Sequence, residues 1–426
     1  MGQEGSELNN IFDDDHVSVF RDEYPLSPKY IPPRLVARDE QIEKVKIALK
    51  PIVRRGEPIN TIIHGKTGTG KTVVVRFVVK QLLEKLDCID DTNVIPIYIN
   101  SKNDTSATQI LYTIIKTLDP ERMVPKRGIE LGWYYREIWD IMNLKNISIL
   151  LIIDEIDKLK KDDILYTFSR AGGGHNLKER IYIGIIGMTN DTKYFENIDS
   201  RVKSSMALNN ITFPPYNANQ LVEILNDRAK LAFQDGVLED MVIPLCSAFA
   251  AQEHGDARRA LALLYRAAMI ADGEHAPKIE ERHVRMSQEQ LDVDNQLEVV
   301  RTLPTQSKLV LLSVLQMVEI NNSKTTSGDI YNRYMLLCDI AGVEVLSRTR
   351  VSDLVSELDM LGIIGAVTKY KGRYGRTRTY NIPLSTTLKL KEAIYQDSRL
   401  KMVESFKEKA DSSPFIVQSQ LSINSK

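Results

Sequence analysis

The chain has 426 residues, 43% hydrophobic and 27% charged, with 56 Lys plus Arg against 57 Asp plus Glu. That length points to two or three domains, each with an ordinary apolar core. No apolar run reaches the roughly eighteen residues that a membrane-crossing helix needs, and the acidic, polar start "MGQEGSELNNIFDDDHV" excludes a secretory leader.

A near-zero net charge says nothing about partners, so information lies in local clustering. Cys88, Cys246 and Cys338 lie far apart in apolar segments and read as reduced core residues, not as a disulfide or zinc framework.

The first thirty residues look loosely structured, with 1–17 expected as a flexible N-terminus. From there to about 215, strand and helix signals alternate. Short apolar runs at "TIIHG" (61–65), "VIPIYIN" (94–100), "ISILLIID" (147–154), "IYIGIIGMTN" (181–190) and "ITFPP" (211–215) are near-continuous, as in strands buried on both faces of a parallel sheet. Helical patterns such as "KTVVVRFVVKQLLEKL" and "SATQILYTIIKTL" fall between them, which predicts a three-layer α/β domain over 18–215. Residues 217–290 read as four helices, broken near Gly236, at "EHGDA" and at "ADGEHAPK".

A third unit follows with helical patterns at 303–320, 327–341 and 347–361, then a β-rich pair, "IIGAVTKY" and "RTRTYNI". Another helix is expected over 391–410, with a frayed tail after it.

The segment "GKTGTGKT", Gly65–Thr72, fits the phosphate-binding pattern G-x-x-x-x-G-K-[ST] between a strand and a helix. Gly65, Lys66, Thr67, Gly68, Thr69 and Gly70 would wrap backbone N–H groups around phosphate oxygens, helped by the dipole of the following helix. Lys71 would reach the β- and γ-phosphates, and the Thr72 hydroxyl would ligate Mg²⁺.

A P-loop ATPase needs carboxylates at a strand end, and "ILLIIDE" supplies them: Asp154 to hold the Mg²⁺ shell, Glu155 to orient or deprotonate the attacking water. Asn190, ending the next strand, would position water or touch the γ-phosphate, although a turn-forming Asn gives the same pattern. Arg258 opens a helix in "GDARRAL", where it would reach across to the phosphates; a cation at a helix N-terminus is otherwise disfavoured.

In "SRTRVSDLVSELDMLG", Val351, Leu354, Val355, Leu358 and Leu361 share one helix face, with Ser347 as N-cap. Thr349, Arg350 and Ser352 then face outward near the helix start, where a helix-turn-helix reader meets base edges. The stretch "KYKGRYGRTR" follows, with Lys369, Lys371, Arg373, Arg376 and Arg378 around Tyr374, Gly372 and Gly375. A strand–turn–strand wing of this kind suits phosphates or a narrow minor groove. Winged helices also serve as protein-docking modules, where acids and apolar groups more often occupy the wing tip.

Taken in order, Gly65–Thr72, Asp154–Glu155, Asn190, "DSRVKSS" and "GDARRAL" resemble an AAA+ ATPase with a helical lid. With "PPRLVARDEQ" and "ELDMLGIIGA", the chain more narrowly resembles the archaeal origin-recognition initiators over roughly 18–390, relatives of the eukaryotic origin recognition complex and of the cell-division-cycle helicase loader.

The resemblance implies an AAA+ core over 18–215, a lid over 216–295, a winged-helix DNA-binding domain over 296–390, and a C-terminal helix and tail over 391–426. It implies ATP or ADP with Mg²⁺, an arginine finger at Arg201 offered to a neighbouring subunit, and an adenine pocket lined by Tyr30–Arg38, including Val36 and Arg38. It also implies an initiator-specific insertion in 119–138 whose basic residues, Lys126 and Arg127, contact the duplex.

The implied partners are double-stranded DNA at replication origins, the replicative minichromosome maintenance helicase and self or paralogous subunits, with no membrane. The implied place is cytoplasmic and nucleoid-associated. The alternatives are an ATP-switched winged-helix transcriptional regulator or signalling ATPase, and an AAA+ enzyme acting on proteins.

Overall fold

The structure, a computed structural model, describes residues 17–89, 93–102, 106–125, 130–159, 163–171, 176–206, 208–321, 325–370, 376–381, 384–401 and 403. Lys126, Arg127, Lys371, Arg373 and Tyr374 lie outside the described residues, and of Lys369, Arg376 and Arg378 only the strand backbone is described. Two compact units divide the chain, residues 1–287 and 288–426.

In the first unit, α1 (Asp39–Val53) precedes β1 (Thr61–His64), α2 (Lys71–Leu86), β2 (Val94–Asn100), α3 (Ala107–Leu118) and α4 (Leu131–Lys145). Then come β3 (Ser148–Asp154), α5 (Asp163–Ser169), β4 (Ile183–Thr189), α6 (Tyr194–Asn197), α7 (Ser200–Met206) and β5 (Asn209–Thr212). The strands form one five-stranded sheet in the order β2-β3-β4-β1-β5, and every described pairing is parallel.

Strand β3, flanked by β2 and β4, explains its own unbroken apolar run. Ile149, Leu151 and Ile153 pack with α3 and α4 on one face, while Leu150 and Ile152 pack with α1 and α2 on the other. Both faces are dry, so alternation would be unfavourable. The last eight residues of the expected initiator insertion, 131–138, open helix α4, whose Tyr134, Ile138, Trp139 and Met142 enter the same core.

The lid comprises α8 (Ala218–Ala232), α9 (Val242–Gln252) and α10 (Ala257–Gly273). Asn217 and Gln220 form a reciprocal capping box at the start of α8, which fixes where that helix begins. Residues 17–30 correct the expectation of a loosely structured N-terminus. Val19 and Phe20 are buried, Phe20 bridges to Phe233, and the Arg21 and Gln234 amides donate to the Ala232 and Val19 carbonyls at 2.8 and 3.0 Å. The Phe20 ring also packs against Phe233 and Tyr265, so this strap is built into the lid. Two apolar residues are too short a signal to announce that contact.

Helix α11 (Glu281–Thr302) leads out of the lid. The second unit holds α12 (Thr305–Asn321), α13 (Ser327–Ala341), α14 (Arg348–Met360), the antiparallel pair β6 (Gly365–Tyr370) and β7 (Arg376–Asn381), and α15 (Leu384–Tyr395). Its core joins Leu309–Leu312 of α12, Ile330 and Tyr334 of α13, and Val351, Leu354, Val355 and Leu358 of α14.

Three further expectations are corrected. Leu361 is the C-cap of α14 and 49% exposed, because the helix ends before that position completes the apolar stripe. Of the helix expected over 391–410, residues 391–395 belong to α15, which starts earlier, at Leu384, and ends at Tyr395, while 402 and 404–410 lie outside the described residues; Leu390, Ala393 and Ile394 of α15 fill the core, and Asp397 beyond it pairs with Lys308 at 2.9 Å. Cys88 is exposed just past the end of α2, since the helix closes at Leu86, whereas Cys246 and Cys338 are buried thiols.

Because Ile153 is fully buried in the inner strand β3, Ile153→Ala should cost about 2–5 kcal/mol. Denaturant titration should show the loss in the transition of the first unit, and a change under about 0.5 kcal/mol would contradict this packing.

Candidate functional site

Residues 65–72 leave the C-terminal end of β1 at the middle of the sheet and turn into α2. The turn closes on itself: Thr69 Oγ1 donates to the Lys66 carbonyl at 2.8 Å, and Gly68 and Gly70 adopt φ of +70° and +86°. Those dihedrals favour glycine, and they aim the N-terminus of α2 at the space above the loop.

A cavity of about 780 Å³ opens there, lined at one end by Thr67–Val73, Asp154, Glu155, Asn190 and Arg258. At the other end lie Ser27–Val36 of the strap and Ile224, Asp227, Arg228 and Leu231 of α8. All of these belong to the first unit.

Register explains the acids. Asp154 ends β3 beside Asn100 of β2, and Glu155 follows in a left-handed conformation (φ 53°, ψ 44°) that turns the chain out of the sheet. Thr72 Oγ1 donates to Asp154 Oδ2 at 3.0 Å, placing a hydroxyl and a carboxylate oxygen together. That pair suits a hard divalent cation that takes its remaining ligands from phosphate and water.

Lys71 is 7% exposed, and its ammonium donates to the Gly65 and Lys66 carbonyls at 2.7 and 2.9 Å and to Asn190 Oδ1 at 2.8 Å. Burial pushes its pKa down to about 8, opposed by nearby Asp154 and reinforced by Arg258. Arg258 lies in the first turn of α10, behind the Asp256 cap, which accepts from the Arg258 and Arg259 amides. The Ala257 amide donates to the Gly68 carbonyl at 3.2 Å, so the lid helix sits directly on the loop.

Not every expected residue joins the cavity. Gly65 and Lys66 lie beneath it and contribute carbonyls to Lys71. Val36 lines it, but Arg38 does not: the residue is 2% exposed, and its guanidinium is bonded to the carbonyls of Thr69, Ala37 and Pro214. Its donors are therefore used within the protein. Arg201 stands on α7 away from the cavity, ion-paired with Asp199 at 2.6 Å.

Several lining residues carried no sequence signal. Arg228 lies 4.6 Å from the centre of the Tyr30 ring, and its Nη1 is buried without a hydrogen-bond acceptor. Tyr216, Asn100 and Lys102 also line the cavity.

Known proteins share this geometry. Residues 55–188 match an AAA domain, 222–289 the Cdc6 AAA+ ATPase-type lid domain and 298–391 the Cdc6 C-terminal winged helix domain. The chain is 42% identical over 408 residues to an ORC1-type DNA replication protein 1 of Methanosarcina acetivorans, covering 94% of this chain and 96% of that one.

The chain belongs to the ORC1-type DNA replication protein family.

Another member, from Thermococcus kodakarensis, is 42% identical over 89% of this chain and 91% of its own. Among solved structures, the Aeropyrum pernix ORC1 protein in complex with DNA superposes with a TM-score of 0.69 at 36% identity, covering 90% of this chain and 98% of that one. The Cdc6 protein of Pyrobaculum aerophilum matches with a TM-score of 0.59 at 25% identity, over 89% and 100% of the two chains. The expected fold class, an α/β P-loop AAA+ domain with a helical lid and a C-terminal winged helix, therefore holds, and family membership makes this an AAA+ ATPase.

In the winged helix, Thr349, Arg350 and Ser352 are exposed at the start of α14. Ser347 Oγ accepts from the Arg350 amide at 3.3 Å, and the Arg350 guanidinium reaches Glu357 at 3.3 Å across two turns. Exposed pairs of this type are weak, so that guanidinium exchanges partners at little cost.

The Lys71 environment has a pH consequence. An unfolded Lys keeps its ordinary 10.5, so between about 8 and 10.5 the folded protein binds fewer protons. The burial penalty is thus complete below about pH 8 and is relieved as pH rises toward 10.5. A phosphate beside Lys71 favours the charged form, so nucleotide binding should take up almost no proton near pH 7 and approach one proton near pH 9, with weakening affinity. Titration calorimetry in buffers of different ionisation heat measures this, and equal uptake at both pH values would contradict it.

Proposed function

We propose that this protein is an origin-recognition replication initiator, an ATP-dependent protein that binds duplex DNA sequence-specifically and helps load the replicative minichromosome maintenance helicase. The observation that carries the reading is the convergence of a phosphate loop, a strand-end Asp–Glu pair and a lid arginine on one cavity, in a chain 42% identical to an ORC1-type DNA replication protein.

The triphosphate lies along the amides of 67–72, with the base between Tyr30, Val36 and Ile224. Lys71 leaves Asn190 and the loop carbonyls for phosphate oxygens. Thr72 and Asp154 would hold Mg²⁺, which would supply neutralisation of phosphate charge. Glu155 orients the attacking water and accepts its proton, Asn190 positions the same water, and Arg258 stabilises charge from the lid. Arg201, outside the cavity, serves the site of a neighbouring subunit, so turnover by the isolated chain is slow.

The start of α14 enters the major groove through Thr349, Arg350 and Ser352. The wing between β6 and β7, with Lys369, Lys371, Arg373, Tyr374, Arg376 and Arg378, follows the backbone, and Lys126 and Arg127 add a second contact. The solved ORC1 relative in complex with DNA supports this half of the reading.

Fluorescence anisotropy on an origin-proximal duplex, over a series of salt concentrations, tests it. Lys371→Ala with Arg373→Ala should weaken binding and flatten the log K against log salt slope by about 0.9 for each phosphate no longer neutralised, close to 2 in all. Unchanged affinity and slope, or equal affinity for every duplex, would contradict the reading.

A further inference from the structure

The lid joins the sheet through two chain segments. One is 213–217, running from β5 to α8; the other is 31–38, running from the lid-bound strap back to α1. Arg38 stands where both arrive. Its Nη2 donates to the Pro214 carbonyl at 2.6 Å on the first segment, and its Nη1 to the Ala37 carbonyl at 3.2 Å on the second. Its Nε donates to the Thr69 carbonyl at 3.0 Å, inside the phosphate loop.

The guanidinium also stacks 3.6 Å from the centre of the Tyr216 ring, and the Tyr216 hydroxyl lies only 2.5 Å from where a Cβ on Gly70 would stand. The Tyr216 amide donates to the Gly255 carbonyl at 3.3 Å. Next along the chain, Ala257 returns to the loop through its bond to Gly68.

These contacts close a ring: Thr69, Arg38, Pro214, Tyr216, Gly255, Ala257 and Gly68. Ala37, the residue before Arg38, has φ 58°, a conformation unfavourable for a side chain with a Cβ. Such an outlier persists only where the surroundings over-determine it.

We propose that Arg38 is a positioning residue that couples phosphate occupancy of residues 65–72 to the set of the lid, by fastening the loop to both segments that carry the lid. The inference rests on reading the cavity as a nucleotide site. Arg38 itself touches no nucleotide. When phosphates draw the loop amides inward, the Thr69 carbonyl turns with its peptide, and the rigid guanidinium fork passes that change to Pro214 and Tyr216. Lysine in its place keeps a charge, but its single ammonium cannot reproduce three divergent N–H bonds and a stacked plane.

Hydrogen–deuterium exchange on the full chain, with and without ADP, tests the coupling. In the unmodified protein ADP should slow exchange both in 65–72 and in 254–260. In Arg38→Lys the slowing in 65–72 should persist while that in 254–260 falls at least threefold. Tyr216→Leu, which removes the stacking ring and leaves Arg38 in place, should show the same split and serves if Arg38→Lys does not fold. A variant with a lowered melting temperature but full ADP-dependent slowing in 254–260 would overturn the proposal, leaving Arg38 a purely structural residue. No effect of ADP on either segment of the unmodified protein would instead overturn the nucleotide reading of the cavity.

Discussion

Three positions without side chains hold this architecture together. A Cβ on Gly65 would stand 2.5 Å from the Phe213 carbonyl, one on Gly68 1.7 Å from the Asp256 carboxylate, and one on Gly70 2.5 Å from the Tyr216 hydroxyl. The loop is therefore pressed from outside by the end of β5, the cap of α10 and the segment between sheet and lid, while its inner side faces the cavity. Glycine in this loop allows close approach to phosphate, and here it equally allows close approach of the lid.

Charge follows from that crowding. Lys71 is buried under the loop and takes two backbone carbonyls and Asn190 as partners. Asp154 and Thr72 already meet, whereas Arg258 enters only because Asp256 caps α10 against the loop. The phosphate end of the cavity is therefore assembled from both the sheet and the lid. Arg258 of the lid and Lys71 of the loop line the same cavity.

Much of this was legible in the sequence, for local reasons. The phosphate loop, the Asp–Glu strand end and the amphipathic α14 depend on spacing along one or two adjoining elements, and spacing survives in a linear string. What was hidden depends on long-range contact. Arg38 reads as a ligand of the base until its three carbonyl partners, two of them far away in sequence, are seen. The strap at 17–30 pairs with residues more than two hundred positions later. Arg228 is one of many helix-surface arginines in the sequence, and only the fold turns it toward Tyr30. The aromatic run "GWYYREIW" of α4 carried a helical pattern that its position in an expected insertion obscured.

The central claim is that one nucleotide is gripped between the phosphate loop and the lid. A crystal structure of the full chain with ADP and Mg²⁺ tests it most directly. The account predicts phosphates on the amides of 67–72 and Arg258 within hydrogen-bond reach of them, with the Lys71 ammonium moved off Asn190. Nucleotide bound anywhere else, or a lid arginine turned away from the phosphates with Lys71 still on Asn190, would contradict it.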